Sequence, residues 1–164
     1  MLDWIAPRTP DTIMPIPWMH PSAVSYLGEI LRPDFWVLEH GSGGSTLWLA
    51  ERVACVVSVE HDPAWREAVR KLAPTNVTLV TAMDYPANKF DLLLIDGERD
   101  KRGDYLMVAH KIVKPGGWVV LDNANRPEYK EQRQFFSEHA ELVERFNNNI
   151  HSSKYFVTEF WKCE

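Results

Sequence analysis

Short apolar runs alternate with longer amphipathic stretches along the chain, and this alternation predicts strands and helices in turn. The apolar runs are rich in Val, Leu and Phe, as in strands that are buried on both faces of a parallel sheet. Strands are predicted at 35–39, 55–60, 77–80, 90–96, 118–122, 142–146 and 155–161, and helices at 22–31, 46–53, 63–72, 104–113 and 128–139.

The order of these elements predicts an α/β fold, a Rossmann-like doubly wound three-layer sandwich with a mostly parallel seven-stranded sheet. The loop between the last two strands is too short for a helical crossover, so the C-terminal strand is expected to run antiparallel. The segment 81–89, between the third and fourth strands, leaves room for one helical turn or none.

Residues 1–21 form a segment rich in proline, which excludes a long helix or a central strand there. The segment is too apolar for a free tail, so we expect an extended arm packed on the domain. Trp18 and His20 are candidates to close a ligand crevice, and the arm is also a candidate contact with a second subunit in a homodimer. Residues 1–164 are predicted to be one domain, with 22–164 as its catalytic core.

Composition and charge disfavour several classes of protein. The formal net charge of −5 disfavours general nucleic-acid binding. No apolar run approaches the ~20 residues of a membrane span, and the N-terminus lacks the regions of a signal peptide. Cys55 and Cys163 have the pattern of unpaired thiols in a reducing compartment. These features together predict a cytoplasmic protein.

The segment 36–46, WVLEHGSGGST, joins a buried strand to the start of a helix. Gly41, Gly43 and Gly44 allow a sharp turn and let a ligand approach bare backbone. Ser45 or Thr46 is the expected helix cap. Such a turn lies at the carboxyl end of a parallel sheet, where ligands bind in folds of this kind.

A carboxylate ends three of the predicted strands, and another follows a fourth strand. They are Glu39, Glu60, Asp84 and Asp96. We expect them along one edge of the sheet, and no Lys or Arg lies between Arg32 and Arg52 to balance them. A pocket walled by carboxylates repels a pyrophosphate and favours a cation. A ligand with an ammonium, a sulfonium and a ribose diol suits that field.

Over nearly all of residues 22–162 the chain resembles class I S-adenosylmethionine-dependent methyltransferases, in particular small-molecule O-methyltransferases. The resemblance implies S-adenosylmethionine as the cofactor, with its methionine part beside Gly41, Ser42, Gly43, Ser45 and Thr46 and its ammonium group near Glu39. It implies that Glu60, next to His61, takes the ribose hydroxyls, because a carboxylate has paired acceptors. Ala82, Met83 and Asp84 would border the adenine, and Asp96 would face the methyl group or the substrate.

The ends of the fourth and fifth strands carry Asp96, Asp122 and Asn123. This set is similar to the magnesium triad of catechol-type and caffeoyl-coenzyme-A-type O-methyltransferases, so the resemblance implies Mg²⁺ on these three residues. Those families place a lysine base near the strand-4 aspartate, whereas this chain has Gly97, Glu98 and Arg99. The alternative is that Asp122 and Asn123 cap a helix or line the pocket without metal.

The charged segment 96–104, DGERDKRGD, is either a solvated loop or one that faces the substrate. In the second case Arg99, Lys101 or Arg102 would meet a carboxylate or phosphate, and Arg126 could add to them. Arg99 stays protonated, so it would hold an anion rather than act as a base. The candidate catalytic residues are Asp96, Arg99 and Asp122.

The leading hypothesis is a methyltransferase that acts on a small molecule, by O-methylation. One alternative is an NAD-dependent oxidoreductase, because Glu60 lies about twenty residues beyond Gly41, as that fingerprint requires. Against it, Thr46 stands where the third glycine of the fingerprint is expected. A second alternative is a non-catalytic module that binds S-adenosylmethionine for a partner.

Overall fold

The computed structural model describes residues 9, 12–82, 87, 89–147 and 157–164. The strands are β1 (Trp36–His40), β2 (Cys55–Val59), β3 (Val77–Val80), β4 (Phe90–Ile95), β5 (Val113–Leu121), β6 (Ala140–Asn147) and β7 (Val157–Cys163). The helices are α1 (Pro21–Ile30), α2 (Gly44–Ala50), α3 (Pro63–Leu72), α4 (Arg102–Ile112) and α5 (Lys130–Phe136), with a 3-10 turn at Pro127–Tyr129. In the described part of the chain, no helix has the length and apolar character needed to cross a bilayer.

The strands form one seven-stranded sheet in the order β3-β2-β1-β4-β5-β7-β6. The first five strands in that order pair in parallel, whereas β7 is antiparallel to both β5 and β6. The predicted Rossmann-like sandwich with a reversed C-terminal strand is therefore confirmed. Its connection between β3 and β4 lies partly outside the described residues.

Successive residues of a strand point to opposite faces, and this alternation builds two cores. Val37 of β1 packs with Leu49 of α2 on one face, and Leu38 packs with Leu106 of α4 on the other. The same period sends Glu39 towards α2 and His40 towards α4. At the end of β1, the side chains of Glu39 and His40 therefore lie on opposite faces of the sheet.

Several element boundaries differ from the predicted ones, most of all the start of β5 and the end of α5. Strand β5 begins at Val113, and its pairing with β4 is interrupted by a register shift between Phe90 and Leu92. The Pro-Gly-Gly segment lies at this irregularity within β5, and Gly116 there has φ 75°. Helix α4 therefore ends earlier, and β5 begins earlier, than predicted. Helix α5 ends at Phe136 rather than His139, because the chain enters β6 at Ala140.

Helix starts follow local capping chemistry. The Asp62 carboxylate accepts from the Trp65 N–H at 2.8 Å and begins α3, as expected for an Asp-Pro start. Helix α1 is capped by His20, whose Nδ1 accepts from the Ser22 N–H at 3.1 Å. Helix α2 begins at Gly44, so Ser45 and Thr46 lie within its first turn and not at its cap.

The described part of the arm, residues 12–20, lies against the start of α2. Pro17 and Met19 are buried. A Cβ atom built on Gly44 would come within 2.1 Å of the Met14 carbonyl oxygen and 2.6 Å of the Ile16 carbonyl oxygen. The arm backbone therefore sits in the space that a side chain at position 44 would occupy. Residues 1–8, 10 and 11 of the predicted arm lie outside the described residues.

We expect Gly44→Ala to displace the arm and lower the free energy of unfolding by about 1–3 kcal/mol, the usual cost of overpacking. The matched control is Gly28→Ala in α1, where a Cβ atom would meet Trp48 at an ordinary 3.7 Å. That variant should be stabilised by roughly 0.5–1 kcal/mol, because alanine is the better helix former. Thermal unfolding measures both; equal stability of the Gly44→Ala variant and the wild type would contradict the close approach.

Candidate functional site

A cavity of about 540 Å³ opens at the carboxyl ends of β1, β2, β4 and β5. Its walls come from the glycine turn, the ends of β2, β4 and β5, the first half of α4 and the arm. The lining residues are Trp18, His40, Gly41, Ser42, Gly43, Gly44, Ser45, Val59, Glu60, His61, Trp65, Thr81, Asp96, Gly97, Glu98, Arg102, Tyr105, Asp122, Asn123 and Arg126. The position matches the ligand crevice of open α/β sheets.

Two glycines fix the floor between β1 and β4. Gly41 has φ 89°, and a Cβ atom on it would lie 2.7 Å from the Gly97 Cα atom. The Asp96 N–H donates to the His40 carbonyl oxygen at 3.0 Å, and the Gly41 N–H donates to the Val59 carbonyl oxygen at 2.9 Å. Only glycine can be accommodated at position 41, so the cavity wall there is bare backbone.

Glu39 lies beneath this wall rather than in it. The carboxylate is fully buried and accepts hydrogen bonds from the hydroxyls of Ser45, Thr46 and Ser58, the last at 2.7 Å. Burial raises the pKa of Glu39 to about 7 against the lowering effect of these three donors. Neither Glu39 nor Thr46 lines the cavity, and Ser45 stands between them and the space above. The structure therefore places Glu39 one layer below the cavity wall, so its expected contact with an ammonium group stays a prediction.

Glu60 presents its carboxylate at the cavity wall after β2. One oxygen accepts from the Ser42 N–H at 3.0 Å, and the other accepts from the Asp62 N–H at 2.9 Å. The exposed His61 lies beside it, with Nδ1 3.1 Å from a Glu60 oxygen. The Trp65 indole N–H donates to the Ser42 carbonyl at 2.7 Å, which fixes the glycine turn from the opposite side.

The third carboxylate region is only partly described. Thr81 lines the cavity after β3, whereas the adjacent Ala82 is exposed and does not. Met83 and Asp84 lie outside the described residues, so their expected contact with adenine stays a prediction.

Arg102 is buried between the ends of β4 and β5. Its Nη2 contacts an Asp96 carboxylate oxygen at 2.9 Å. The other donations go to the backbone oxygens of Asp96, Gly97 and Asp122 and to the amide oxygen of Asn123. All five N–H groups of a guanidinium are thereby used. Arg102 ties the two strand ends together and has no donor left for a substrate.

Asp122 is buried and held by three neighbours. One carboxylate oxygen accepts from the Thr158 hydroxyl at 2.7 Å, and the other accepts from the Asn123 side-chain amide at 2.8 Å and lies 3.9 Å from Arg102. Burial, followed by the nearby Asp96 carboxylate, raises the pKa of Asp122 to about 7. A carboxylate with such a pKa can exchange a proton near neutral pH.

The residues at this end of the sheet do not fit a magnesium ion. Asp96 accepts from Arg102, Asp122 accepts from Thr158 and Asn123, and the Asn123 amide oxygen accepts from Arg126 at 2.7 Å. Each of the three side chains in the magnesium interpretation therefore already accepts from a protein donor on at least one oxygen, and the Arg102 guanidinium supplies a positive charge beside them. Within the described residues no group of three His, Cys, Asp or Glu side chains could hold a metal ion.

Arg99 lies outside the cavity, contrary to its expected position beside the substrate. Its guanidinium pairs with Glu128, and its backbone carbonyl accepts from the Tyr129 hydroxyl at 2.6 Å. These contacts turn the residue towards the 3-10 turn after β5. Lys101 is exposed and does not line the cavity either.

His40 and Tyr105 form an aromatic wall that the sequence did not identify. Their rings stack with centroids 3.5 Å apart, and both residues line the cavity. Burial lowers the pKa of His40 to about 3, so the imidazole is neutral at neutral pH. Trp65, Gly97 and Thr158 were also missed. Only Gly97 carried a local signal, as a glycine directly after a strand-end aspartate.

Residues 38–124 match a family model described as a methyltransferase domain, which spans more than half of the chain. No curated protein sequence matches the chain.

Solved structures share the fold. An O-methyltransferase from Bacillus cereus in complex with S-adenosylhomocysteine (SAH) is similar over 89% of this chain and 82% of its own, with 18% identity and a TM-score of 0.67. The tRNA (m1A58) methyltransferase TrmI from Aquifex aeolicus covers 88% of this chain and 69% of its own, with 17% identity and a TM-score of 0.67. The N-methyltransferase NodS from Bradyrhizobium japonicum WM9, in complex with SAH, covers 79% and 78%, with 14% identity and a TM-score of 0.63.

Proposed function

The chain belongs to the methyltransferase-domain family as a class I S-adenosylmethionine-dependent methyltransferase, and we propose that it methylates a hydroxyl oxygen of a small molecule. The observation that carries the proposal is the Asp96–Arg102–Asp122 cluster, two carboxylates bridged by one guanidinium at the edge of the cavity. Because the chain belongs to this family, we prefer a methyltransferase to the two alternatives, an NAD-dependent oxidoreductase and a non-catalytic binding module.

The cofactor half of the cavity is formed by the glycine turn and the end of β2. We assign Gly41, Ser42 and Gly43 to the methionine part of the cofactor and Glu60 to the ribose hydroxyls. The bare backbone at Gly41 and the fixed carboxylate of Glu60 support this assignment. Ser45 lies nearest to Glu39 on this wall, so the negative charge of Glu39 would act on the ammonium group through that hydroxyl.

The acceptor half is formed by the ends of β4 and β5. Asp96 is the more accessible of the two carboxylates, with 22% of its side chain exposed against 2% for Asp122. We assign Asp96 to the contact with the acceptor hydroxyl and Asp122 to proton storage. Two carboxylates beside one guanidinium carry a net negative charge, which favours the uptake of one proton.

S-adenosylmethionine supplies an electrophilic methyl group when bound. On an acceptor hydroxyl, the oxygen would take the methyl group as the bond from carbon to sulfur breaks, and the carboxylate pair would receive the hydroxyl proton. Asp96 orients the hydroxyl, and the buried Asp122 holds the pair's proton at a pKa near 7. Arg102 keeps both carboxylates in place and balances one negative charge.

A screen of hydroxylated, aminated and thiol-bearing small molecules tests this proposal. With S-adenosylmethionine carrying a deuterated methyl group, mass spectrometry should find the label on a hydroxyl oxygen. Label found only on nitrogen, on sulfur or on an added RNA would refute small-molecule O-methylation while leaving the methyltransferase family intact.

We expect activity to be unaffected by excess EDTA, because Arg102 already supplies the cation at the Asp96–Asp122 pair. Added Mg²⁺ should raise neither the rate nor the temperature of thermal unfolding. The unfolding measurement gives a readout that does not depend on knowing the acceptor. Activity that disappears in EDTA and returns with Mg²⁺ would restore the magnesium interpretation.

A further inference from the structure

We propose that the methyl acceptor carries an anionic group, a carboxylate, which pairs with Arg126 while its hydroxyl lies at the Asp96–Asp122 pair. This inference rests on the proposed O-methylation and adds the chemical class of the substrate. The enzyme would thus act on a hydroxylated carboxylic acid.

Arg126 is placed by the side chain of Asn123. The Asn123 amide oxygen accepts from Arg126 Nη2 at 2.7 Å and from Arg102 Nη1 at 3.3 Å, and its amide nitrogen donates to Asp122 at 2.8 Å. One amide therefore joins the carboxylate that stores the proton to the guanidinium of Arg126. Asn123 has φ 54°, a left-handed conformation that asparagine tolerates better than most residues.

Arg126 is half-buried, lines the cavity and retains donors. Besides the bond to Asn123, its Nη1 donates to the Tyr129 hydroxyl at 3.2 Å. A guanidinium has five N–H groups in a planar fork, so these two bonds leave capacity for a carboxylate. Among the described residues, Arg126 takes part in no ion pair within 4.0 Å, unlike Arg99 and Arg102.

The other cations near this end of the cavity are not suited to the role. Arg102 uses all its donors on the protein, Arg99 pairs with Glu128 outside the cavity, and Lys101 does not line it. Arg126 is therefore the cation, within the described part of the acceptor side, that can meet a substrate anion. Because Arg126 and Arg102 contact the same Asn123 amide oxygen, the proposed anion site adjoins the Asp96–Asp122 pair.

The test compares two probes with the same hydroxyl groups, 3,4-dihydroxybenzoate and catechol, which differ by one carboxylate. We expect the wild type to prefer the acid in kcat/KM. Arg126→Gln should reduce kcat/KM for the acid roughly 10- to 100-fold more than for catechol, the range for a lost charge-assisted hydrogen-bond pair. Arg126→Lys should recover part of the preference, since it restores the charge without the fork.

The control is Arg99→Gln, which removes the same charge outside the cavity and should keep the wild-type preference. Calorimetric titration of both probes in the presence of SAH measures recognition without turnover. Tighter binding of the acid, lost in Arg126→Gln and kept in Arg99→Gln, supports the inference even if neither probe is methylated. Equal binding of the two probes, or an acid preference that survives Arg126→Gln in a protein that still unfolds cooperatively, overturns it. A hydroxyl acceptor that is methylated without acid preference would leave the proposed function standing and remove only the inference.

Discussion

Asp96→Asn will keep S-adenosylmethionine binding but lose methyl transfer by roughly 100- to 10,000-fold, the range for removal of a general base. The amide has nearly the same shape as the carboxylate, so the loss reports the missing charge and proton acceptor. The measurement is single-turnover methyl transfer, with cofactor affinity from calorimetry. A matched control is Glu98→Gln, which removes a negative charge from the same cavity but not from the contact with Arg102.

The rate should also depend on pH in a direction fixed by Asp122. Its pKa is raised to about 7, and the pair must be able to accept a proton, so the rate should rise as pH increases through about 7. Asp122→Asn should be slow and lack this dependence. If the Asp96→Asn variant turns over as fast as the wild type, the carboxylate pair does not accept the hydroxyl proton.

The stability of the protein should show the opposite sign. Because the folded pKa of Asp122 is raised from 3.8 to about 7, the folded state binds the proton more tightly than the unfolded state. This contribution to stability is fully present below about 3.8 and is lost as pH rises through about 7. Asp122→Asn should lose less stability over this interval than the wild type, which denaturant unfolding at several pH values can measure.

Glu60→Gln is expected to weaken the binding of S-adenosylmethionine and SAH roughly 10- to 100-fold, because hydrogen bonds to a charged acceptor contribute ~1.5–3 kcal/mol each. Glutamine keeps one acceptor oxygen but places an amide donor opposite the ribose hydroxyls or the backbone N–H groups of Ser42 and Asp62. Calorimetric titration with SAH gives the affinity directly.

Glu67→Gln is the control for this change. Glu67 lies on the exposed side of α3 and pairs with Arg70, so its substitution removes the same charge without touching the cavity. The Glu67→Gln variant should bind SAH with the same affinity as the wild type. If Glu60→Gln also binds SAH as well as the wild type, Glu60 does not hold the ribose.

The parts of the fold that depend on a few neighbouring residues could be predicted from the sequence. The Asp62-Pro63 start and the short Val77–Val80 run were bounded correctly, because a cap and a β-branched run act within a few residues. The reversed last strand followed from loop length alone. The start of β5 was missed, since its first bridge, Phe90 to Val113, depends on pairing with another strand across a register shift.

The candidate site was less predictable for the same reason. The strand-end positions of Asp96 and Asp122 follow from the sequence, but the burial of Arg102 between them depends on the packing of α4. Thr158 contacts Asp122 from a strand 36 residues away, which no local pattern reveals. The charged run 96–104 does not show which of its basic residues faces inwards, so the sequence predicts Arg99, Lys101 and Arg102 alike as substrate contacts, whereas of these three only Arg102 lines the cavity.

The central claim is that this cavity aligns a hydroxyl acceptor with the cofactor by means of the Asp96–Arg102–Asp122 cluster and without a divalent ion. A crystal structure with SAH and 3,4-dihydroxybenzoate, grown with Mg²⁺ present, tests it most directly. The account predicts the ribose at Glu60, an acceptor hydroxyl within hydrogen-bond distance of Asp96 and the Arg102 contacts unchanged. A magnesium ion bound by Asp96, Asp122 and Asn123 with Arg102 displaced, or an acceptor bound away from these residues, would contradict it.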